Sequence, residues 1–148
     1  MYKHILVTTD GSEFARKGIE HGLALAKPLG AKVTVLTVLA PIPSEVADAA
    51  RLGGIADPVG QYDHQIDETM KERFAAIDHL VSVYGVKADL AHEIDKVPAE
   101  AIVRFAKHHH CDLIVMASHG RRGVQRVLLG SQTAEVLAHV NIPVLVVR

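Results

Sequence analysis

The segment 117–133, which reads ASHGRRGVQRVLLGSQT, has the glycine spacing and polar side chains of a phosphate-binding turn. The glycines at positions 120, 123 and 130 allow the backbone to approach a ligand closely. Gly130 and Ser131 open an expected helix, whose first N–H groups and positive dipole end attract phosphate. We therefore expect the start of this helix, at Gly130 and Ser131, to bind the phosphate groups of a ligand.

The same segment also carries hydroxyl groups and positive charge. The hydroxyls of Ser131 and Thr133 can donate hydrogen bonds to phosphate oxygens, and Arg121 adds charge together with Arg122 and Arg126. A solvated surface position is an equal alternative for the arginines. Helix capping alone is the alternative for Ser131. The whole segment could also be a structural strand-to-helix connection that holds no ligand.

A second polar segment, Thr8-Thr9-Asp10-Gly11-Ser12, follows the apolar run at the start of the chain. Asp10 can accept hydrogen bonds from a ribose, although an aspartate before glycine also bonds its own turn. The two segments together predict a nucleotide site. No G-x-x-x-x-G-K-[ST] occurs, and no G-x-G-x-x-G follows the first strand. The absence of both motifs therefore argues against a P-loop NTPase and against an NAD-dependent enzyme.

Alternating strands and helices must position these segments. Prolines and glycines punctuate the chain, and short Val- and Leu-rich runs alternate with helical periodicity, which favours an α/β fold with a mostly parallel sheet. Ligands in such sheets bind beyond the carboxyl ends of the strands, where strand order reverses. The expected strands are Ile5–Thr8, Lys32–Leu39, Val86–Ile94, Asp112–Ala117 and Pro143–Arg148, the last near a sheet edge.

Four main helices are expected between these strands. Ser12 caps the first, whose buried stripe includes Phe14, Gly18 and Gly22, and which ends at Pro28 and Gly30. The second runs from about Gln61 to Tyr84, and the third begins at Pro98. The fourth, which Ser131 is expected to cap, runs to about His139. One or two helical turns are expected within Ser44–Leu52.

Composition excludes several function classes. The chain has 148 residues, 49% hydrophobic and 22% charged, with a formal net charge of -1, which matches one soluble globular domain spanning 1–148. No basic field exists to collect nucleic acid, and no apolar run could span a membrane. The single cysteine, Cys111, favours a reducing cytoplasm. The run His108-His109-His110-Cys111 suits a metal site poorly, because neighbouring helical side chains diverge.

The chain resembles the universal stress proteins of the UspA superfamily over its whole length. The resemblance rests on KHILVTTDGSEFA, VTVLTV, CDLIVMASHGRRG, LLGSQTAEVL and IPVLVV. ATP-binding members carry G-x-x-G-x9-G-[ST] after strand four, and here that frame reads Ala117-Ser118-His119-Gly120, nine residues, then Gly130-Ser131. Spacing and three of four fixed positions match, with Ala117 in place of the first glycine.

The resemblance implies a Rossmann-like (adenine nucleotide alpha hydrolase-like) fold with strand order 3-2-1-4-5. It implies that the protein binds ATP, ADP or AMP, with Mg²⁺ as a companion ion. It also implies a dimer that acts as a stress-response switch or sensor and is not an enzyme, although slow ATP hydrolysis stays open. The dimer would form through Val144–Val147, and a further protein partner is expected. The implied contacts comprise Asp10 at the ribose, the pocket residues Thr8 and Thr9, the Val38 backbone at adenine, Met116 and Ala117 at the sugar and phosphates, and Gly120, Gly130, Ser131 and Gln132 at the phosphate chain.

Two other functions stay open from the residues. Ala117 motivates the first, a nucleotide-independent dimeric interaction module of the same fold. The second is an ATPase or phosphotransferase, in which Asp10 and Ser131 would hold Mg²⁺ through the nucleotide phosphates. No P-loop lysine or paired acidic residues support this second function.

Overall fold

A computed structural model describes residues 1–119 and 129–148 of the chain. Five strands and five helices lie in the described residues. The strands are β1 (His4–Thr8), β2 (Lys32–Leu39), β3 (Ala88–Ile94), β4 (Leu113–Ala117) and β5 (Val144–Val147). The helices are α1 (Glu13–Leu29), α2 (Ser44–Leu52), α3 (Pro58–Tyr84), α4 (Pro98–His108) and α5 (Ser131–His139).

The strands form one sheet in the order β3-β2-β1-β4-β5, and all four neighbouring pairs are parallel. The predicted fold class and strand order are confirmed, with β3 and β5 at the two edges. The chain builds the sheet outward from β1 in one direction through β2 and β3, then returns to add β4 and β5 on the other side. Strand order therefore reverses between β1 and β4, and this position is where open α/β sheets bind ligands.

Side chains alternate between two cores because successive strand residues point to opposite faces of the sheet. On β1, Ile5 and Val7 join a core with α1 and α3, whereas Leu6 joins a second core with α4 and α5. The middle of β1 is fully buried, as is expected for a strand covered on both sides. Helices thus cover both faces and leave the strand ends to form a site.

Local signals at most helix ends are confirmed. The Ser12 hydroxyl accepts a hydrogen bond from the Ala15 N–H over 3.1 Å, Pro98 begins α4, and Gly30 and Gly85 follow the last residues of α1 and α3. Pro28 lies inside the last turn of α1 and does not end it. Ser131 was predicted to cap α5, and this was wrong: Gly130 is the N-cap and Ser131 is the first helical residue.

Three further expectations, on Phe14 and on the extents of α2 and α3, need correction. The first turn of α1 carries Phe14 on its outer side, where 51% of the residue is exposed, so Phe14 does not belong to the buried stripe. The segment Ser44–Leu52 is a complete nine-residue helix, α2. The start of α3 lies at Pro58, because Asp57 caps it by accepting from the Gly60 N–H over 3.0 Å.

Gly22 on the inner side of α1 allows this helix to lie close to the sheet, as predicted, whereas the close approach does not require glycine at position 18. A methyl group on Gly22 would overlap the Val7 side chain. One on Gly18 would lie 3.5 Å from the Ala117 backbone nitrogen, an ordinary contact distance. Since Val7 and Ala117 belong to the two central strands, α1 lies directly over the point where strand order reverses. No described helix is long and apolar enough to cross a membrane.

Candidate functional site

The carboxyl ends of β1, β2 and β4 bring most of the predicted site residues to one edge of the sheet. Val7 is paired with Val115 and Thr8 with Leu36. Thr8 is the last residue of β1 and Thr9 follows it directly, Val38 lies one residue before the end of β2, and Met116 and Ala117 are the last two residues of β4. The parallel register therefore places all five around the reversal point.

The turn after β1 is held by its own side chains. The Thr9 N–H donates to the Leu36 carbonyl over 3.0 Å, and the Thr9 hydroxyl accepts from the Gly11 N–H over 3.1 Å. One Asp10 carboxylate oxygen accepts from the Ser12 N–H over 2.9 Å. Gly11 has φ +80°, a conformation that glycine adopts without strain. The turn role expected for Asp10 is thus present, and it fixes the carboxylate beside the start of α1.

The turn after β4 meets the start of α5 at Ser118, which is 3% exposed. The Ser118 carbonyl accepts from the Gly130 N–H over 2.6 Å, and its own N–H donates to the Val147 carbonyl over 2.7 Å. A methyl group on Gly130 would lie 2.8 Å from the Ser118 oxygen, so this approach requires glycine. The long connection between β4 and α5 therefore returns to within one hydrogen bond of its starting point.

The first turn of α5 has no side-chain cap from its own N-cap residue, Gly130. The first helical bond runs from the Ala134 N–H to the Gly130 carbonyl, so the N–H groups of residues 131–133 lie before it. Among the other helices, α1 and α3 are capped by Ser12 and Asp57, whereas α2 and α4 likewise have no side-chain cap from the residue before them. Backbone donors and the positive dipole end of α5 are consequently directed at the reversal point, an arrangement that suits an anion.

Two side chains of this turn bind the protein itself. The Thr133 hydroxyl donates to the Ala117 carbonyl over 3.0 Å, and Thr133 is 4% exposed. The Gln132 side-chain carbonyl accepts from the Ala99 N–H of α4 over 3.1 Å. Both residues were expected to contact phosphate. The structure shows that these oxygen atoms anchor α5 to β4 and α4.

The alanine in the expected glycine position lies in ordinary strand conformation. Ala117 is the last residue of β4, and His110 is the one described non-glycine residue with positive φ. The backbone at position 117 therefore does not require glycine. The side chains of Met116 and Val38 join the core beneath α4 and α5. Any ligand contact of these two residues would thus be made mainly through their backbones.

The remaining members of the predicted site lie outside the described residues. These are Gly120 and Arg121, and with them Gly123, Arg122 and Arg126. His119, the last described residue before that segment, places Nδ1 2.9 Å from the Ser118 hydroxyl, and its ring centre lies 6.5 Å from that of Phe14. The exposed Phe14 therefore borders the site, which its place in the helical pattern did not reveal.

The histidine run 108–110 lies at the opposite end of the sheet, at the end of α4. The His109 ring stacks on Phe105 at 3.8 Å, and its carbonyl accepts from His4 Nδ1 over 3.0 Å. Cys111 is buried, and desolvation raises the pKa of its thiol to about 11. Within residues 1–119 and 129–148, no three His, Cys, Asp or Glu side chains are placed to hold a metal ion. The run forms a structural helix end.

Sequence reasoning missed two residues that organise the site. Ser118 was recognised as part of the motif but received no role, although its backbone joins β4, β5 and the start of α5. Ala99 was missed because an alanine carries no polar side chain, and its backbone N–H matters only once α4 and α5 lie together. The tight motif spacing around Ser118 was the one available signal.

Comparison with known proteins identifies the family. The universal stress protein family model matches residues 1–148, and the chain belongs to this family. The universal stress protein MJ0531 of Methanocaldococcus jannaschii is 32% identical over 152 residues, which cover 100% of this chain and 83% of the relative. The solved structure of MJ0577 from the same organism is 30% identical, with a TM-score of 0.77 over 99% of this chain and 96% of that one.

Two more distant structures of the same fold were solved with nucleotides. A universal stress protein from Archaeoglobus fulgidus in complex with dAMP is 23% identical, with a TM-score of 0.69 over 99% of this chain and 98% of that one. A universal stress protein in complex with cAMP is 22% identical, with a TM-score of 0.68 over 99% and 97% of the two chains. For this chain, these two likenesses show the fold.

Proposed function

We propose that this protein binds an adenine nucleotide, ATP in the first instance, at the carboxyl ends of β1 and β4, and acts as a stress-response switch or sensor. The observation that carries the proposal is the start of α5. Its N–H groups have no side-chain cap from Gly130, and the Ser118–Gly130 hydrogen bond directs them at the reversal point of the sheet.

The residues present fit a nucleotide. The Asp10 carboxylate supplies an acceptor for ribose hydroxyls beside β1, and the backbone of residues 131–133 supplies donors for phosphate beside β4. The Val38 backbone on β2 offers hydrogen-bonding groups to adenine. The complexes of other family proteins with dAMP and cAMP support an adenine nucleotide in particular.

The proposed role is binding rather than turnover. The sequence has no P-loop lysine. Bound nucleotide would carry its own Mg²⁺, which neutralises phosphate charge, while α5 binds the phosphates and Asp10 orients the ribose. Binding adds bonds to the start of α5 and thereby changes the surface there. We propose that a protein partner recognises this change.

We further propose a homodimer formed through β5. This strand lies at the sheet edge, so one side of its backbone has no partner strand within the sheet. Leu145 is 38% exposed there, which gives a second copy an apolar contact. With a single cysteine and no basic field, a reducing cytoplasm is the compartment that we propose, without nucleic-acid or membrane partners.

Calorimetric titration of the purified protein with ATP and Mg²⁺ tests the proposal. We expect one site per chain, and we expect Asp10→Ala to raise the Kd for ATP at least about tenfold, since a charge-assisted bond to ribose is lost. Leu52→Ala is the control, because Leu52 is the last residue of α2 and is 92% exposed. A folded wild-type protein that binds no ATP or ADP at millimolar concentration would reject the proposal.

The second candidate is a nucleotide-independent dimeric interaction module, and the methyl group of Ala117 is what favours it. Ala117→Gly separates the two candidates. If the methyl group blocks the ligand, the glycine variant gains ATP binding that the wild type lacks. If wild type and variant bind equally, position 117 does not control binding. If neither binds, the interaction module is the better description.

A further inference from the structure

The start of α5 is attached to two neighbouring elements through consecutive side chains. Thr133 bonds the end of β4, and Gln132 reaches across to the first turn of α4. The two helices also share a core, in which Val136 of α5 lies with Ile102 and Phe105 of α4. The position of the first N–H groups of α5 therefore depends on α4 as well as on the sheet.

The hydrogen bond between Gln132 and Ala99 satisfies a donor that α4 cannot satisfy itself. Pro98, the first residue of α4, has no N–H, so the Ala99 N–H is the first donor of the helix. The preceding residue, Val97, offers no side-chain acceptor. Ala99 is 1% exposed, and a buried N–H without a partner is costly. The Gln132 carbonyl is thus the cap of α4, supplied from another helix.

We propose that Gln132 is a positioning residue for nucleotide phosphates: by capping α4 at Ala99, its side chain fixes the first turn of α5 at the site. This inference rests on the proposed function and refines it. The side-chain carbonyl of Gln132 acts through Ala99 and does not contact the ligand. Bound phosphate in turn holds α5 in the position in which the Gln132–Ala99 bond forms, so the bond and the ligand stabilise each other.

Two substitutions of nearly equal length separate positioning from direct contact. Gln132→Met removes the acceptor, so α5 loses its attachment to α4. We expect its Kd for ATP to rise about tenfold, equivalent to about 1.4 kcal/mol. Its Kd for adenosine, which has no phosphate, should stay within about twofold. Gln132→Glu keeps an acceptor for the Ala99 N–H, and its negative charge suits the N-terminus of α4. We expect this variant to bind ATP within about threefold of wild type.

The outcomes that overturn the inference are distinct. Gln132→Met with wild-type affinity for ATP shows that the bond positions nothing. Gln132→Glu that binds ATP more weakly than Gln132→Met shows that the side chain faces the phosphates directly. Equal losses for ATP and adenosine show general destabilisation. Gly85→Ala is the stability control, because it strains the end of α3 outside the site and should leave both Kd values unchanged.

Hydrogen exchange at the Ala99 amide gives a second test that uses the wild-type protein and does not depend on variants folding. We expect ATP to slow this exchange and adenosine to leave it unchanged; an Ala99 amide that does not respond to bound ATP overturns the inference. A wild-type protein that binds neither ligand overturns the proposed function as well. Normal wild-type binding with an unaltered Gln132→Met variant overturns the inference alone.

Discussion

The Thr133 hydroxyl donates a hydrogen bond to the Ala117 carbonyl over 3.0 Å, joining the first turn of α5 to the last residue of β4. These residues are 16 positions apart and enclose the long connection of the family motif. The bond runs alongside the one from the Gly130 N–H to the Ser118 carbonyl. Together they hold the two ends of that connection at one place on the sheet.

Removal of the Thr133 hydroxyl should destabilise the fold. Thr133→Val keeps the shape of the side chain but leaves the half-buried Ala117 carbonyl with one bond fewer, at a cost of about 1–3 kcal/mol. Thr133→Ser is the matched control, since it retains the hydroxyl and loses one methyl group, worth about 0.8 kcal/mol. Urea denaturation measures both. A valine variant as stable as the serine variant would show that the bond contributes little.

The two glycines on the inner side of α1 should respond oppositely to alanine. Gly22→Ala places a methyl group against Val7, and overpacking of this kind costs about 1–3 kcal/mol. Gly18→Ala finds ordinary contact space and gains helix propensity, so we expect unchanged stability or a gain of up to about 1 kcal/mol. Thermal and urea unfolding of the pair test the close approach of α1 to β1. Equal effects would contradict it.

The end of α4 contains a strained residue. His110 has φ +53°, its N–H bonds the Lys107 carbonyl, and the Cys111 N–H bonds the Ala106 carbonyl, the hydrogen-bond pattern that usually places glycine at this position. Gly85 occupies the equivalent position after α3, with φ +64°. One helix end thus carries histidine where the other carries glycine.

Removing the strain at one of these two helix ends and introducing it at the other should have opposite effects on stability. His110→Gly relieves the left-handed strain, and we expect about 0.5–1 kcal/mol of added stability. Gly85→Ala introduces the strain without a clash, because the nearest atom, Lys27 Nζ, lies 3.9 Å from the added carbon, so a loss of about 1 kcal/mol is expected. A destabilised His110→Gly variant would show that the imidazole itself matters.

His4 connects the start of β1 to two other elements. Its Nδ1 lies 3.0 Å from the His109 carbonyl and its Nε2 lies 2.8 Å from the Thr34 hydroxyl. Burial is the main cause that lowers the pKa of His4, and Lys32 and the His109 ring lower it further. The His109 carbonyl and Asp112 act in the opposite direction. The Cys111 sulfur, 3.7 Å from Nδ1, completes the surroundings.

The free energy of unfolding should therefore decrease as the pH is lowered, and part of this decrease should depend on His4. A folded-state pKa below the unfolded value of about 6.5 means that the unfolded chain binds the proton more readily. The contribution of neutral His4 to the free energy of unfolding is present above about pH 6.5, and it is lost as the pH falls through the lowered pKa of the folded state. We expect the free energy of unfolding to drop more between pH 7.5 and 5.5 in wild type than in His4→Gln. Identical drops would assign the effect to other histidines.

Much of the fold could be predicted because its signals are local. The apolar run Ile5–Thr8, Pro98 at a helix start and Gly85 at a helix end are read from neighbours in sequence. The role of Ser131 could not be read in this way. Serine often caps helices, but here the Ser118 carbonyl holds the Gly130 N–H, which makes Gly130 the cap. Phe14 was misplaced because helical spacing alone does not reveal how far the sheet extends beneath α1.

The position of the candidate site in the fold could be predicted, but the hydrogen-bond partners of its individual side chains could not. The glycine spacing and the reversal point identify the strand ends, and Asp10 lies there. Sequence alone did not show that the Gln132 and Thr133 side chains bond Ala99 and Ala117, because these partners are backbone groups on other elements. Backbone donors and acceptors are the same for nearly every residue type, so their pairing becomes visible only in the folded chain.

Native mass spectrometry of the protein as purified, followed by titration with ATP, is the direct test of nucleotide binding. We expect a dimer that carries the mass of one adenine nucleotide per chain, or that gains it on addition of ATP, with the increment reduced in Asp10→Ala. A folded protein whose mass stays that of the bare chains in millimolar ATP would contradict nucleotide binding. Ala117→Gly would then be the first variant to measure.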